Sequence, residues 1–138
     1  MTDTTPPLPA DPRPGTRLLA DTALGALGID LITCSADRVV ARMPAPAHRA
    51  TAGLLLVLAE TAASTAAGLA AGPTRRAFGA ELDAALLAPP APSGFVTAVA
   101  CPLRRDDERH TWRIEITDST GTLVLDGRCT LGIVDAPI

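Results

Sequence analysis

Residues 51–68, TAGLLLVLAETAASTAAG, are apolar on every side of the helix they would form. A helix without a polar face has to be covered all round, either by a protein core or by lipid. From Gly53 to Gly72 the run is about 20 residues, the length a bilayer requires. Yet Glu60, Thr61, Ser64 and Thr65 interrupt it, alanine dominates it, and neither an aromatic belt nor a basic cluster flanks it. The expectation is a helix buried in a soluble domain, with no membrane partner. Gly72 suits its C-terminal cap, and Pro73 cannot continue it.

The rest of the chain supplies what could cover such a helix. Residues 1–15, MTDTTPPLPADPRPG, read as a disordered Pro-rich segment, and residues 16–138 as a single domain. Leu18, Leu19, Ala23, Leu24 and Leu27 recur at helical spacing and predict a short amphipathic helix. IDLITCS and RVVARMPA predict two strands joined around Ala36–Asp37. Beyond the long helix, AFGAELDAALLAP, GFVTAVACPLRR, HTWRIEITD and TLVLDGRCTLGIV predict a meander of four. Trp112, Ile114 and Ile116 alternate with Arg113, Glu115 and Thr117, and Leu123, Leu125, Cys129, Leu131 and Ile133 repeat the pattern. Such alternation belongs to an antiparallel sheet covered on one face. The outline is α+β, one long helix against a curved antiparallel sheet of five or six strands.

Within that helix Glu60 is the sole charge. Residues three and four apart share a helix face, so Gly53, Val57, Glu60, Ser64 and Gly68 form one narrow stripe. It reads either as the lining of a small pocket, with glycines allowing close approach, or as a partly exposed Glu at a subunit seam paired with an Arg. The helix N-terminus at Ala52 and Gly53 offers free backbone N–H groups, which stabilise negative charge on a carbonyl oxygen. A carbonyl held there could meet Glu60, two turns along the same face. Ser64 either bonds its own helix backbone or positions water and substrate.

Other residue classes narrow the field. A formal net charge of -3 and an aromatic content of 2% leave neither a basic face nor stacking platforms for nucleic acid. Cys34, Cys101 and Cys129 form no CxxC and read as reduced, buried small hydrophobes. His48 and His110 have no partners at ligand spacing, so no metal site is expected; His110, beside a polar turn, reads as solvated. Glu81 and Asp83 share one strand face and read first as solvent-facing, with a second catalytic carboxylate as the alternative. Arg75, Arg76, Arg104, Arg105 and Arg109 form either a solvated rim or a seat for nucleotide-tail phosphates. No charged, apolar leader is evident at the N-terminus, so a cytoplasmic location is expected.

The order of elements, TAGLLLVLAETAAS, ELDAALLAPPAPSG and IEITDSTGTLVLDGRCTLGIV together resemble the hotdog-fold acyl-CoA thioesterases. Within these the 4-hydroxybenzoyl-CoA and phenylacetate-pathway type is the most similar, over roughly residues 24 to 134. The family carries a His-Gly-Gly turn, an apolar run, and then an Asp or Glu; Gly53 matches the second glycine and Glu60 the acid. Thr51 and Ala52 stand where the family has His and the first Gly, LAPP replaces Leu-Arg-Pro, and Ala45 stands near the family's Gln or Asn.

The resemblance implies a hotdog fold and at least a homodimer, with a dimer of dimers as a larger form and sites at the subunit seam. It implies hydrolysis of an acyl thioester of coenzyme A or an acyl-carrier protein, with coenzyme A as part of the substrate and no separate cofactor. Ala52 and Gly53 N–H groups would polarise the carbonyl, Glu60 would act as general base or nucleophile, and Thr51, Ser64 and His48 would position substrate or water. A non-catalytic hotdog protein that binds a thioester or serves as a scaffold partner, and a hotdog dehydratase or hydratase, are the other two readings.

Overall fold

The structure, a computed structural model, describes residues 22–46 and 51–136. The expected Pro-rich segment, Leu18, Leu19 and His48 lie outside the described residues. In chain order the elements are α1 (Ala23–Ala26), β1 (Asp30–Cys34), β2 (Val39–Pro44), α2 (Thr51–Ala71), β3 (Arg75–Leu86), β4 (Phe95–Arg105), β5 (Arg109–Thr117) and β6 (Leu123–Asp135).

The six strands form one antiparallel sheet in the order β1-β2-β4-β5-β6-β3. The connection from β2 to β3 therefore passes β4, β5 and β6 to reach the far edge, and α2 lies in that connection. It touches all six strands. This is the hotdog arrangement.

Alternation explains how the sheet covers the helix. Val96, Ala98 and Ala100 of β4, Trp112, Ile114 and Ile116 of β5, and Cys129, Leu131 and Ile133 of β6 are buried. They pack against Leu55, Leu58, Ala59, Ala62, Ala63, Ala66 and Ala67 of α2 in one cluster. The helix contributes mostly alanines, so it lies close to the sheet, and the larger strand side chains fill the space between. Burial of each Leu or Ile contributes roughly 1.5–3 kcal/mol. Helix α2 ends as expected, with Gly72 at φ 91° and its N–H donating to the carbonyl of Gly68.

Among the described residues four register shifts interrupt the ladders, and two of them bear on the expected alternation and the site. Ile116 and Thr117 of β5 pair with Leu125 and Leu123 of β6, which makes Val124 an extra residue, so Val124 and Leu125 are both buried; the expected Leu123–Leu125 alternation breaks at this bulge. In β3 the register steps between Gly79 and Glu81. Gly79 pairs with Leu131, Glu81 with Thr130 and Leu82 with Cys129, which makes Ala80 the extra residue. Glu81 and Asp83 accordingly stand on the outer face, as expected, opposite Thr130 and Arg128.

Strand β3 is one edge of the sheet, and it exposes Phe78, Leu82 and Leu86. Cys129 is buried and Cys34 half-buried, but Cys101 is exposed. It sits on the outer face beside Arg113, so the expectation that all three cysteines are buried fails there.

Candidate active site

Glu60 leaves the middle of α2 and points at β3. A Cβ added to Gly79 would stand 2.9 Å from Glu60 Oε1. Glu60, Gly79, Ala80, Glu81, Leu82 and Cys129 line a cavity of about 240 Å³. Among the described residues no Arg or His lies within ion-pair distance of this carboxylate. The reading of Glu60 as half of an ion pair thus has no partner within the described protomer. Cys129 shares the cavity, but burial, and then the Glu60 charge, push its thiol up to about 11. A thiol held protonated at neutral pH is a poor nucleophile; the other polar side chains lining the cavity are the Glu60 and Glu81 carboxylates.

The stripe carrying Glu60 is the side of α2 that the sheet leaves least covered. Gly53 is exposed, and Val57, Glu60, Ser64 and Gly68 are half-buried. A Cβ at Gly53 or Gly68 would meet nothing within 4 Å. Within one protomer these glycines therefore admit no close neighbour, and the stripe does not line a single small pocket as expected. Ser64 Oγ donates to the Glu60 backbone carbonyl at 2.7 Å, as Thr61 does to Val57. The hydroxyl proton is engaged by the helix, while its oxygen can still accept.

The helix N-terminus opens elsewhere. Thr51, Ala52 and Leu55 face Leu86, Leu87, Ala88, Pro89 and Pro90 across a second cavity of about 340 Å³. The two cavities share no lining residue. Eight residues from Ala52 to Glu60 correspond to about 12 Å of helix rise, and first-turn N–H groups point outward along the axis, away from Glu60. Ala52 and Glu60 of one protomer thus open into different cavities.

The arginines divide. Arg75 pairs with Asp135 at 3.3 Å and donates to the carbonyls of Asp107 and Ile133. Arg105 donates to the Ala36 carbonyl and to Asp37, and lies over Trp112. Both fasten loops at the end of the sheet near the α2 C-terminus. Arg76 and Arg104 are exposed, the latter 3.7 Å from Asp106. Ten residues of β3, roughly 33 Å of strand, separate Arg76 from Leu86 and the N-terminal cavity.

His110 is buried, with 5% exposed, which corrects the expectation of a solvated side chain. It is the second residue of β5, opposite Leu131 and Arg105, on the inner face that Trp112 also takes. Burial, then the Arg105 charge, hold its pKa below the usual histidine value.

Several lining residues escape sequence reasoning. Gly79, Leu82 and Cys129 reach Glu60 only through strand pairing. The one local signal was a glycine inside a strand pattern, which often marks close approach by another group. The apolar wall Leu86–Pro90 was visible only as a strand end.

A helix carrying one carboxylate, wrapped by a single antiparallel sheet and opening at its N-terminus on an apolar cavity, defines a hotdog protein of the acidic-helix kind. The chain belongs to the thioesterase superfamily, whose family model matches residues 51–125. It is 31% identical to a 1,4-dihydroxy-2-naphthoyl-CoA hydrolase of Listeria monocytogenes, over 78% of this chain and 91% of that protein. A crystal structure of a thioesterase from Haemophilus influenzae superposes with a TM-score of 0.80 at 28% identity, covering 86% of this chain and 87% of that one. A thioesterase variant from Pseudomonas aeruginosa gives 0.81 at 26% identity, covering 88% and 92%. Thioester hydrolysis is the class of reaction these likenesses support.

Proposed function

We propose that this protein hydrolyses an acyl thioester of coenzyme A or of an acyl-carrier protein, with Glu60 as its catalytic carboxylate. The observation that carries this reading is Glu60 itself. It is the only charge on α2, it lines a cavity, and no cation pairs with it among the described residues.

In the reaction the thioester oxygen accepts from the Ala52 and Gly53 N–H groups, donors left over at the first turn and reinforced by the helix dipole. Glu60 takes a proton from water as it adds to the carbonyl, or attacks the carbonyl first and is released by water. Negative charge gathers on the oxygen where the N–H donors already point. The C–S bond then breaks, and the thiol leaves with a proton. Thr51, Ser64 and His48 are assigned to positioning water or acyl group.

Because Glu60 and the N-terminal N–H groups of one chain open into separate cavities, the working site requires two copies. The edge strand β3 suits that role, with unpaired backbone groups and exposed Phe78, Leu82 and Leu86 beside the Glu60 cavity. Pairing there would give a homodimer, with a dimer of dimers as a larger form.

Thiol release from a panel of aryl- and aliphatic-CoA thioesters tests the assignment. The wild-type chain is expected to turn over at least one member, and Glu60→Gln to lose about 10²–10⁴-fold. Unchanged hydrolysis by Glu60→Gln would overturn it. Thr51 and Ala52, standing in place of the family's His and Gly, favour a second reading as a thioester binder; tight binding without thiol release is its signature. A dehydratase needs a histidine beside the carboxylate, and His110 does not line the Glu60 cavity, which leaves His48 for that role.

A further inference from the structure

We propose that Gly79 is a positioning residue for Glu60: the side chain it lacks is the space in which the carboxylate sits. This rests on the reading of Glu60 as the catalytic carboxylate.

A Cβ at Gly79 would stand 2.9 Å from Oε1 and 3.6 Å from both Cδ and Cγ of Glu60. Conformational freedom does not explain the glycine. The positive-φ glycines are Gly28, Gly72, Gly94 and Gly121, so any L-residue could adopt the backbone at Gly79. Within a strand, glycine is destabilising relative to alanine. What it provides here is close approach of β3 to the helix carboxylate. The other strand glycines serve different neighbours: Gly127 meets the backbone of Asp83 and Ala84, and Gly132 the ring of Phe78. The bulge at Ala80 falls immediately beside Gly79, and bulges re-aim the strand next to functional sites. Gly79 thus places the carboxylate against β3, at the floor of the cavity.

Glu60 is flexible at its far end, so Gly79→Ala is accommodated by displacing the carboxylate while the fold is kept. Gly79→Ala is expected to lower kcat about 10²-fold, the cost of a misplacement of about 1 Å, while KM stays within about threefold because no binding group is removed. A thermal double-mutant cycle gives a reading independent of turnover. Gly79→Ala should raise Tm in a Glu60→Ala background, where nothing occupies the space, and by less, or not at all, beside wild-type Glu60. Wild-type kcat in Gly79→Ala, with Glu60→Gln inactive, would overturn the positioning role and leave the proposed function standing. Full hydrolysis by Glu60→Gln would overturn the function instead. Additive Tm changes, or failure of Gly79→Ala to fold in both backgrounds, would also overturn the positioning role.

Discussion

Glu60 and Ala52 stand about two turns apart on α2 and line different cavities. Their separation makes the proposed site testable by mixing defective copies. Ala52→Pro removes one N–H donor at the first helical turn, where proline is tolerated. Glu60→Gln removes the base. Each variant alone is expected to be inactive. Co-expressed in equal amounts, they should recover about a quarter of wild-type turnover, since half of the symmetric pairs are mixed and each mixed pair holds one intact site. A site built from a single copy predicts no recovery at all.

Asp118 ties two loops together. It accepts from the N–H groups of Ala91, Thr120 and Thr122 and from the Thr120 hydroxyl. These donors, the Thr120 hydroxyl foremost, hold its pKa down at about 2. Its contribution to stability is therefore complete above the ordinary value of 3.8 and is lost as pH falls toward about 2. Asp118→Ala should cost about 2 kcal/mol at neutral pH and flatten the acid limb of a denaturant-midpoint profile.

His110 acts at milder pH. Burial, and next the charge of Arg105, depress its pKa; Arg75 adds to this, while Asp106 opposes it. The unfolded chain takes up a proton near pH 6.5 that the folded chain refuses. The histidine's contribution is thus present above that pH and lost as pH falls through the folded value. Its Nδ1 also finds no hydrogen-bond partner among the described residues. His110→Phe should make the urea midpoint less sensitive to pH as it falls below the ordinary histidine value of 6.5. An unchanged slope would assign that titration to another group.

Much of this architecture is legible in the residues themselves. An apolar helix with no polar face demanded a wrapping sheet, and the period-2 runs supplied it. Glu60 stood out because a lone charge in such a helix has a strong physical cost. The failures have a common cause. Alternation assumes an unbroken count, and the bulges at Ala80 and Val124 reset it through pairing that local sequence does not encode. His110 was misread because its cover comes from the inner face of the sheet, not from its polar neighbours in the chain. The meeting of Gly79 with Glu60 is a distance between elements, and the parting of Glu60 from Ala52 is a distance along one. Helical periodicity reports which side a residue faces, not how far along the axis a ligand must reach.

Counted against β6, strand β3 is one residue too long, and the surplus falls beside Glu60. A strand lacking Ala80 would keep Gly79 inward, Glu81 outward and Leu82 inward, with the same partners across the ladder. Neither the hydrophobic interior nor the charged exterior accounts for that residue. The chain's own arithmetic thus separates what makes the sheet from what shapes the cavity, and at this edge the two differ by a single alanine.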